Sequence, residues 1–114
     1  MSKAKKRKKR SATTNRHHLL YQRRHWDKNG YALAIRNHFV YEMRVDRHDF
    51  IHENLHDIPL PPVEELEKIY KAMNYAKVKN AREACLWLAD ISEFEPFKVC
   101  MRYQASLITN ANKL

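Results

Sequence analysis

The sequence predicts a small α+β protein in which short strands and a histidine-bearing helix come first and three helices follow. Residues 39–45 are rich in β-branched and aromatic side chains and alternate apolar with polar residues over their second half, which is typical of a strand. From residue 63 onward, apolar side chains recur at helical spacing. A chain of 114 residues has room for one modest hydrophobic core. We therefore expect one compact domain.

Positive charge is concentrated in residues 1–24, which hold ten basic side chains and no acidic one, whereas residues 25–114 hold twelve basic and thirteen acidic side chains. Because like charges repel and almost nothing apolar is present to be buried, residues 1–14 are predicted to form a disordered arm. Runs of Lys and Arg attract phosphate by releasing condensed counterions, so we expect a nucleic acid as partner. A localisation signal or a solubilising tail would give the same pattern. The predicted nucleic-acid contacts are Lys5, Lys6, Arg7, Lys8, Lys9, Arg10, Arg16, Arg23 and Arg24.

Composition excludes several classes of protein. The chain has one glycine, Gly30, so a glycine-rich phosphate loop or dinucleotide fingerprint is excluded. No apolar run approaches the roughly 20 residues that span a bilayer, and the charged start lacks the apolar stretch of a secretory signal, so we expect a cytoplasmic protein without a membrane partner. Cys85 and Cys100 are too few for a disulfide framework or an all-cysteine zinc site, and we expect them reduced in the core.

Residues 15–60 combine several short elements. Leu19-Leu20-Tyr21 looks strand-like, Asn29-Gly30 suits a tight turn, and the strand at residues 39–45 follows. Asp46 is the predicted N-cap of a helix that continues to about His56, because its carboxylate can accept from amides of the first turn. This segment therefore ends in a histidine-bearing helix.

Residues 61–114 form the predicted three-helix part. Pro59, Pro61 and Pro62 stop the preceding helix and make a stiff linker. The first helix begins near Val63, the second after Asn80 and the third near Pro96. Their apolar positions, which we expect in the core, are Val63, Leu66, Ile69, Tyr70, Met73, Ala81, Ala84, Cys85, Leu88, Ile91, Phe97, Cys100, Met101, Leu107 and Ile108.

Three histidines recur every fourth residue in the predicted helix: His48, His52 and His56. Residues at i and i+4 share one helical face about 6 Å apart, which is the spacing with which a helix chelates one metal ion. The outer two stand about 12 Å apart, so only one neighbouring pair can bind a given ion. His52 belongs to either pair. A polar helix face that happens to carry histidines is the alternative.

A second histidine pair, His17-His18, lies upstream in what reads as extended sequence. Adjacent side chains of a strand point to opposite faces, so at most one would face a given ion unless the backbone bends. One histidine would then ligate, and its neighbour would act as a general base near neutral pH.

Together these residues resemble the HNH, or His-Me finger, endonucleases. The resemblance covers residues 15–60 and rests on Asn15-Arg16-His17-His18-Leu19-Leu20, Asn37 and the series His48, His52 and His56. It implies a ββα segment in which His17 is a metal ligand, His18 is the general base and Asn37 positions the loop or His18. His52, with His48 or His56, would complete a site for Mg²⁺, Mn²⁺ or Zn²⁺.

The chain also looks like small phage and mobile-element proteins of gut bacteria, through the His-His-Leu-Leu segment, Trp26 and the run from His56 to Pro59. It departs from the endonuclease pattern in lacking a Cys-x2-Cys zinc pair and the usual glycine-rich connection, and Asn29 competes with Asn37 for the asparagine role. A degenerate member that binds nucleic acid without cutting it would show the same departures.

Three functions follow as hypotheses. The first is a metal-dependent endonuclease of a bacterial host's cytoplasm that hydrolyses phosphodiester bonds, with DNA favoured over RNA and with Arg16, Arg23 and Arg24 holding the substrate. The second is a non-catalytic phage or mobile-element protein, such as an inhibitor that binds a host CRISPR-type defence ribonucleoprotein. The third is a structural metalloprotein whose histidines join the N-terminal part to the helices.

Overall fold

The computed structural model describes residues 13–20, 31–76 and 78–114. Its elements are β1 (Thr14–His18), α1 (Tyr31–His38), β2 (Val40–Arg44), α2 (Val45–Asn54), α3 (Val63–Met73), α4 (Ala81–Ile91) and α5 (Glu95–Ala111). The predicted α+β class, with a small strand-containing part before three helices, is confirmed. No helix among the described residues is long and apolar enough to cross a membrane.

The two strands form one antiparallel sheet in which His17 lies opposite Tyr41 and Asn15 opposite Met43. The first strand begins at Thr14, one residue before the predicted segment boundary. It ends before the Leu19-Leu20-Tyr21 stretch, so the prediction of a strand there is wrong for the two leucines, and Tyr21 lies outside the described residues. Leu19 and Leu20 are instead fully buried beyond the end of β1. Their apolar character reflects burial in the core rather than strand pairing.

The helix α1 lies between the two strands and was not predicted. Tyr31 and Ile35 are one helical turn apart and pack into the core, while Leu33 between them is 47% exposed. Buried side chains four residues apart are typical of a helix, but three apolar residues at alternating positions in the sequence do not reveal that spacing. The predicted Asn29-Gly30 turn lies outside the described residues.

The histidine-bearing helix α2 is confirmed, with corrected ends. Its N-cap residue is Arg44, so Asp46 lies in the first turn and the predicted N-cap is wrong. The Asp46 carboxylate nevertheless accepts from the backbone N–H of Arg47 and pairs with Arg44. The helix ends at Asn54, two residues before His56. It ends there because Leu55 is extended and buried, so the chain turns toward the core at that residue.

The three C-terminal helices are confirmed close to their predicted starts. Asn80 caps α4 by accepting from the backbone N–H of Glu83 at 2.9 Å. Most of the predicted apolar positions are buried, including Leu66, Leu88 and Leu107. Val63 and Tyr70 are wrong as core positions, since they are 39% and 38% exposed.

The two cysteines are free and buried, as predicted. Burial raises the pKa of the Cys100 thiol to about 11 and that of Cys85 further still, so both behave as small apolar groups. The helix α5 packs against α4 on one side and α2 on the other, so it connects the helical part to the histidines.

Candidate metal centre

His17, His48 and His52 converge on one place although His17 lies on β1 and the other two on α2. One ring nitrogen of each lies within 4.8 Å of the others. Two nitrogens that bind one ion at about 2.1 Å can be at most about 4.2 Å apart, so the three rings lie near the separation that one shared ion requires. The convergence that the metal-site hypothesis required is therefore present in the fold.

Local structure explains why these rings meet. Alternation along β1 places Asn15 and His17 on the same face of the sheet, and α2 packs against that strand. His48 and His52 are one helical turn apart, so both rings face the strand. The ring centroid of His17 lies 5.1 Å from that of His48 and 5.4 Å from that of His52.

The two helical histidines are hydrogen-bonded to each other, with 3.0 Å between their Nε2 atoms. One neutral ring must donate this bond and the other accept it, because each carries a single N–H. Binding an ion through both Nε2 atoms would replace the shared proton, and each ring would then carry its proton on Nδ1. The pair is therefore already close to the geometry of two ligands on one ion.

His17 is held by a buried glutamine from α5. The side-chain amide nitrogen Nε2 of Gln104 donates to the carbonyl of Leu19 at 3.2 Å. The other amide atom, Oε1, therefore faces His17 and accepts a hydrogen bond from His17 Nε2 at 2.7 Å. His17 must therefore carry its proton on Nε2, which leaves the lone pair on Nδ1. Metal-binding histidines commonly donate their other N–H in this way, which orients the ring and sets the tautomer.

Asn15 stands in a similar position beside His48. Its side-chain amide lies 3.3 Å from His48 Nδ1. An asparagine amide can donate through Nδ2 or, after rotation, accept through Oδ1. It can therefore serve the protonated Nδ1 that His48 carries when its Nε2 binds an ion.

Burial keeps the three rings neutral, which is the form that binds metals. Desolvation lowers the pKa of His17 to about 4, against the hydrogen bond that His17 donates to Gln104, which raises it. The pKa values of His48 and His52 are also lowered, first by desolvation. All three imidazoles are therefore uncharged at pH 7.

The proposed general base, His18, follows His17 on the strand and is half-buried. Its pKa is lowered by desolvation and then by the positive charges of Arg36 and Arg16. It is close enough to His48 to affect the pKa of that ring. A neutral histidine beside two guanidinium groups has the charge and the surroundings that suit removal of a proton near an anion.

The structure does not bring every predicted residue to this centre. His56 is exposed beyond the end of α2 and outside the three-histidine cluster, so its placement on the helical face is wrong. Asn37 is exposed on α1, and its side chain is in none of the side-chain hydrogen bonds between described residues, whereas the side chain of Asn15 contacts a cluster histidine. Arg16 is exposed on β1. Lys5, Lys6, Arg7, Lys8, Lys9, Arg10, Arg23, Arg24, Trp26 and Asn29 lie outside the described residues.

Sequence reasoning missed Gln104, although a signal for it was present. Gln104 lies within the apolar face of α5, between the buried Met101 and Ala105. A polar side chain at such a position must find hydrogen-bond partners, because burying an amide without them is unfavourable. The sequence alone indicated that a partner was needed but not that it was His17, 87 positions away.

A scan against protein-family models, a search of the curated proteins and a search of the solved structures each found no match to this chain. The function of the protein is therefore inferred from the residues of the centre and their geometry.

Proposed function

We propose that this protein is a metal-dependent phosphodiesterase that acts on nucleic acid, in the manner that the HNH resemblance implies. The observation that carries this proposal is the convergence of His17, His48 and His52. The antiparallel strand pair, with the histidine-bearing helix α2 directly after β2, supports it, because a strand pair followed by such a helix is what the resemblance implies, although here α1 lies between the strands in sequence.

The donor set favours some metals over others. Three neutral imidazoles suit Zn²⁺ and neighbouring transition metals, whereas Mg²⁺ prefers oxygen ligands. Hydrolytic zinc sites use three protein ligands, and structural sites use four. Among the described residues, no fourth His, Cys, Asp or Glu joins the cluster. The set is therefore the one expected of a hydrolytic site.

The chemistry divides between the ion and the protein. A divalent ion, when bound, supplies positive charge that lowers the pKa of water and stabilises charge on the phosphate. His18 accepts the proton of the attacking water, and Arg16 and Arg36 attract the phosphodiester through their charge. His48 and His52 are only half-buried, so the centre is open to a ligand from solvent.

The test replaces each of three histidines by alanine in a separate variant. His52→Ala should abolish metal binding, measured by calorimetric titration with Zn²⁺ and Mn²⁺, together with cleavage of plasmid and single-stranded substrates. His18→Ala should abolish cleavage and keep most of the metal affinity. His56→Ala is the matched control, because this exposed histidine lies outside the cluster. Full cleavage by His52→Ala, or none by the wild-type protein with any of Mg²⁺, Mn²⁺, Ni²⁺ or Zn²⁺, contradicts the proposal.

A structural metal site is the second candidate function, and one observation favours it. His17 is completely inaccessible to solvent and is tied through Gln104 to the C-terminal helix, so an ion there would join three parts of the chain. On this alternative, Zn²⁺ stabilises the fold while His18→Ala changes neither metal binding nor any other measured property.

A further inference from the structure

We propose that a cationic groove beside the metal centre binds consecutive phosphates of a nucleic-acid backbone. The groove has a volume of about 440 Å³ and lies between the strand pair and the N-terminal end of α4. Its cations are Arg47, Lys79 and Arg82, and Glu42 is its one acidic residue among the described residues. The inference rests on the proposed function and assigns the residues that would hold the phosphates next to the one at the metal centre.

The three groove cations differ from four other basic residues of the described part, which are held in ion pairs. Ion pairs join Arg44 to Asp46, Lys68 to Glu93, Lys71 to Glu67 and Arg102 to Glu95. Within the described part of the chain, no ion pair includes Arg47, Lys79 or Arg82. Their charge is therefore available to an anion from outside the protein.

Arg47 supplies a second observation. Its Nε atom is buried and has no hydrogen-bond partner among the described residues. A buried guanidinium N–H without an acceptor is unfavourable, and a phosphate oxygen is the acceptor that Arg binds best. The N-terminal end of α4, which begins at Ala81 in the groove wall, adds the positive end of a helix dipole.

The groove is lined by residues of the elements that also pack around the metal centre. Tyr41 lines it and lies directly opposite His17 in the sheet, and residues paired in this way share one face. Arg47 immediately precedes His48 on α2. A strand of nucleic acid that places one phosphodiester at the three histidines can therefore place its neighbours in the groove.

The number of cations indicates the kind of anion. The groove cations come from two parts of the fold, with Arg47 on α2 and Lys79 and Arg82 around the start of α4, so successive backbone phosphates can each be held by one of them. A polynucleotide is therefore favoured over a free phosphate.

The test uses the full chain in a chelator, so that binding is measured without cleavage. The double variant Lys79→Glu/Arg82→Glu removes two groove cations, and Lys68→Glu/Arg102→Glu is the matched control with the same change in net charge on exposed residues outside the groove. Fluorescence anisotropy with labelled single- and double-stranded oligonucleotides is measured across a salt series. The groove variant should bind at least about ten-fold more weakly than the control, and its salt slope should fall by about two.

The outcomes separate this inference from the proposed function. Equal losses in both double variants would mean that only net charge matters, which overturns the inference. Displacement of the oligonucleotide by inorganic phosphate at equal phosphate concentration, or tighter binding of polyglutamate than of oligonucleotide, also overturns it. A groove-specific loss in a protein that neither binds metal nor cleaves supports the groove and contradicts the phosphodiesterase.

Discussion

The two halves of the molecule use buried side chains differently. In the C-terminal half, α3, α4 and α5 bury mainly aliphatic and aromatic residues, such as Leu66, Leu88 and Phe97. In the N-terminal half, the space between β1 and α2 holds three imidazoles, one of them fully buried. A small domain loses stability by placing polar groups inside, so a polar cluster there indicates a function for which those groups are retained.

A buried glutamine makes a polar contact between the two halves. Gln104 extends from the apolar face of α5 and hydrogen-bonds both His17 and the backbone of Leu19. The helical half thus supports His17 of the strand half. The difference between the halves is therefore one between an apolar core and a cluster of buried polar side chains.

The largest effect should come from truncating the apolar half. Leu88→Ala should lower the free energy of unfolding by about 2–5 kcal/mol, because the side chain is fully buried and leaves a cavity. Val99→Ala is the control, since Val99 is 55% exposed on the neighbouring helix. Chemical denaturation measures both. A loss below about 1 kcal/mol at Leu88 would show that α4 is not the support described here.

Metal binding at the histidine cluster of the N-terminal half should raise the free energy of unfolding. An ion that binds only the folded state at 100 times its dissociation constant raises the free energy of unfolding by about 2.7 kcal/mol. Thermal denaturation with and without Zn²⁺ should show this gain in wild-type protein and in His56→Ala, and no gain in His52→Ala. An equal gain in all three proteins would place the binding site elsewhere.

The contact between the halves is tested at Gln104. Gln104→Leu removes the acceptor for the His17 N–H, and loss of such a partner typically weakens metal binding 10–100-fold. Its readout besides affinity is the His17 tautomer, followed by nitrogen NMR, which should change from a single Nε2–H form to a mixture.

Gln104→Glu serves as the second variant, because a carboxylate still accepts from His17 although it cannot donate to Leu19. It should keep the Nε2–H tautomer. If neither variant lost the preference for the Nε2–H tautomer, the proposed role of Gln104 in positioning His17 would be contradicted.

A further effect concerns mild acid in the metal-free protein. The folded-state pKa of His17, about 4, lies below its ordinary value of 6.5, so the unfolded chain binds a proton first as pH falls. The stabilisation from keeping His17 neutral is complete above pH 6.5 and is lost progressively down to about pH 4. Denaturation in chelator should show stability falling through this window, with a shallower decline in His17→Asn. Equal slopes in the two proteins would mean that His17 is not held neutral by burial.

Much of the site was predictable because its signals are local. The helical spacing of His48 and His52 depends only on four residues of sequence, and the strand at residues 40–44 depends on alternation. The extension of α2 to His56 failed because Leu55 is recruited to the core, which is a tertiary effect. The helix α1 was not predicted, because its large apolar residues recur at every second position, as those of a strand do.

The sequence by itself determined the class of the fold, the three C-terminal helices and the histidines that could bind a metal, because each follows from local spacing and side-chain chemistry. Tertiary structure alone decided that His17 would meet His48 and His52, that Asn15 rather than Asn37 would adjoin them, and that Gln104 would select the tautomer. These contacts join residues between 31 and 87 positions apart. Their pairing depends on how the elements pack, which local propensity does not encode.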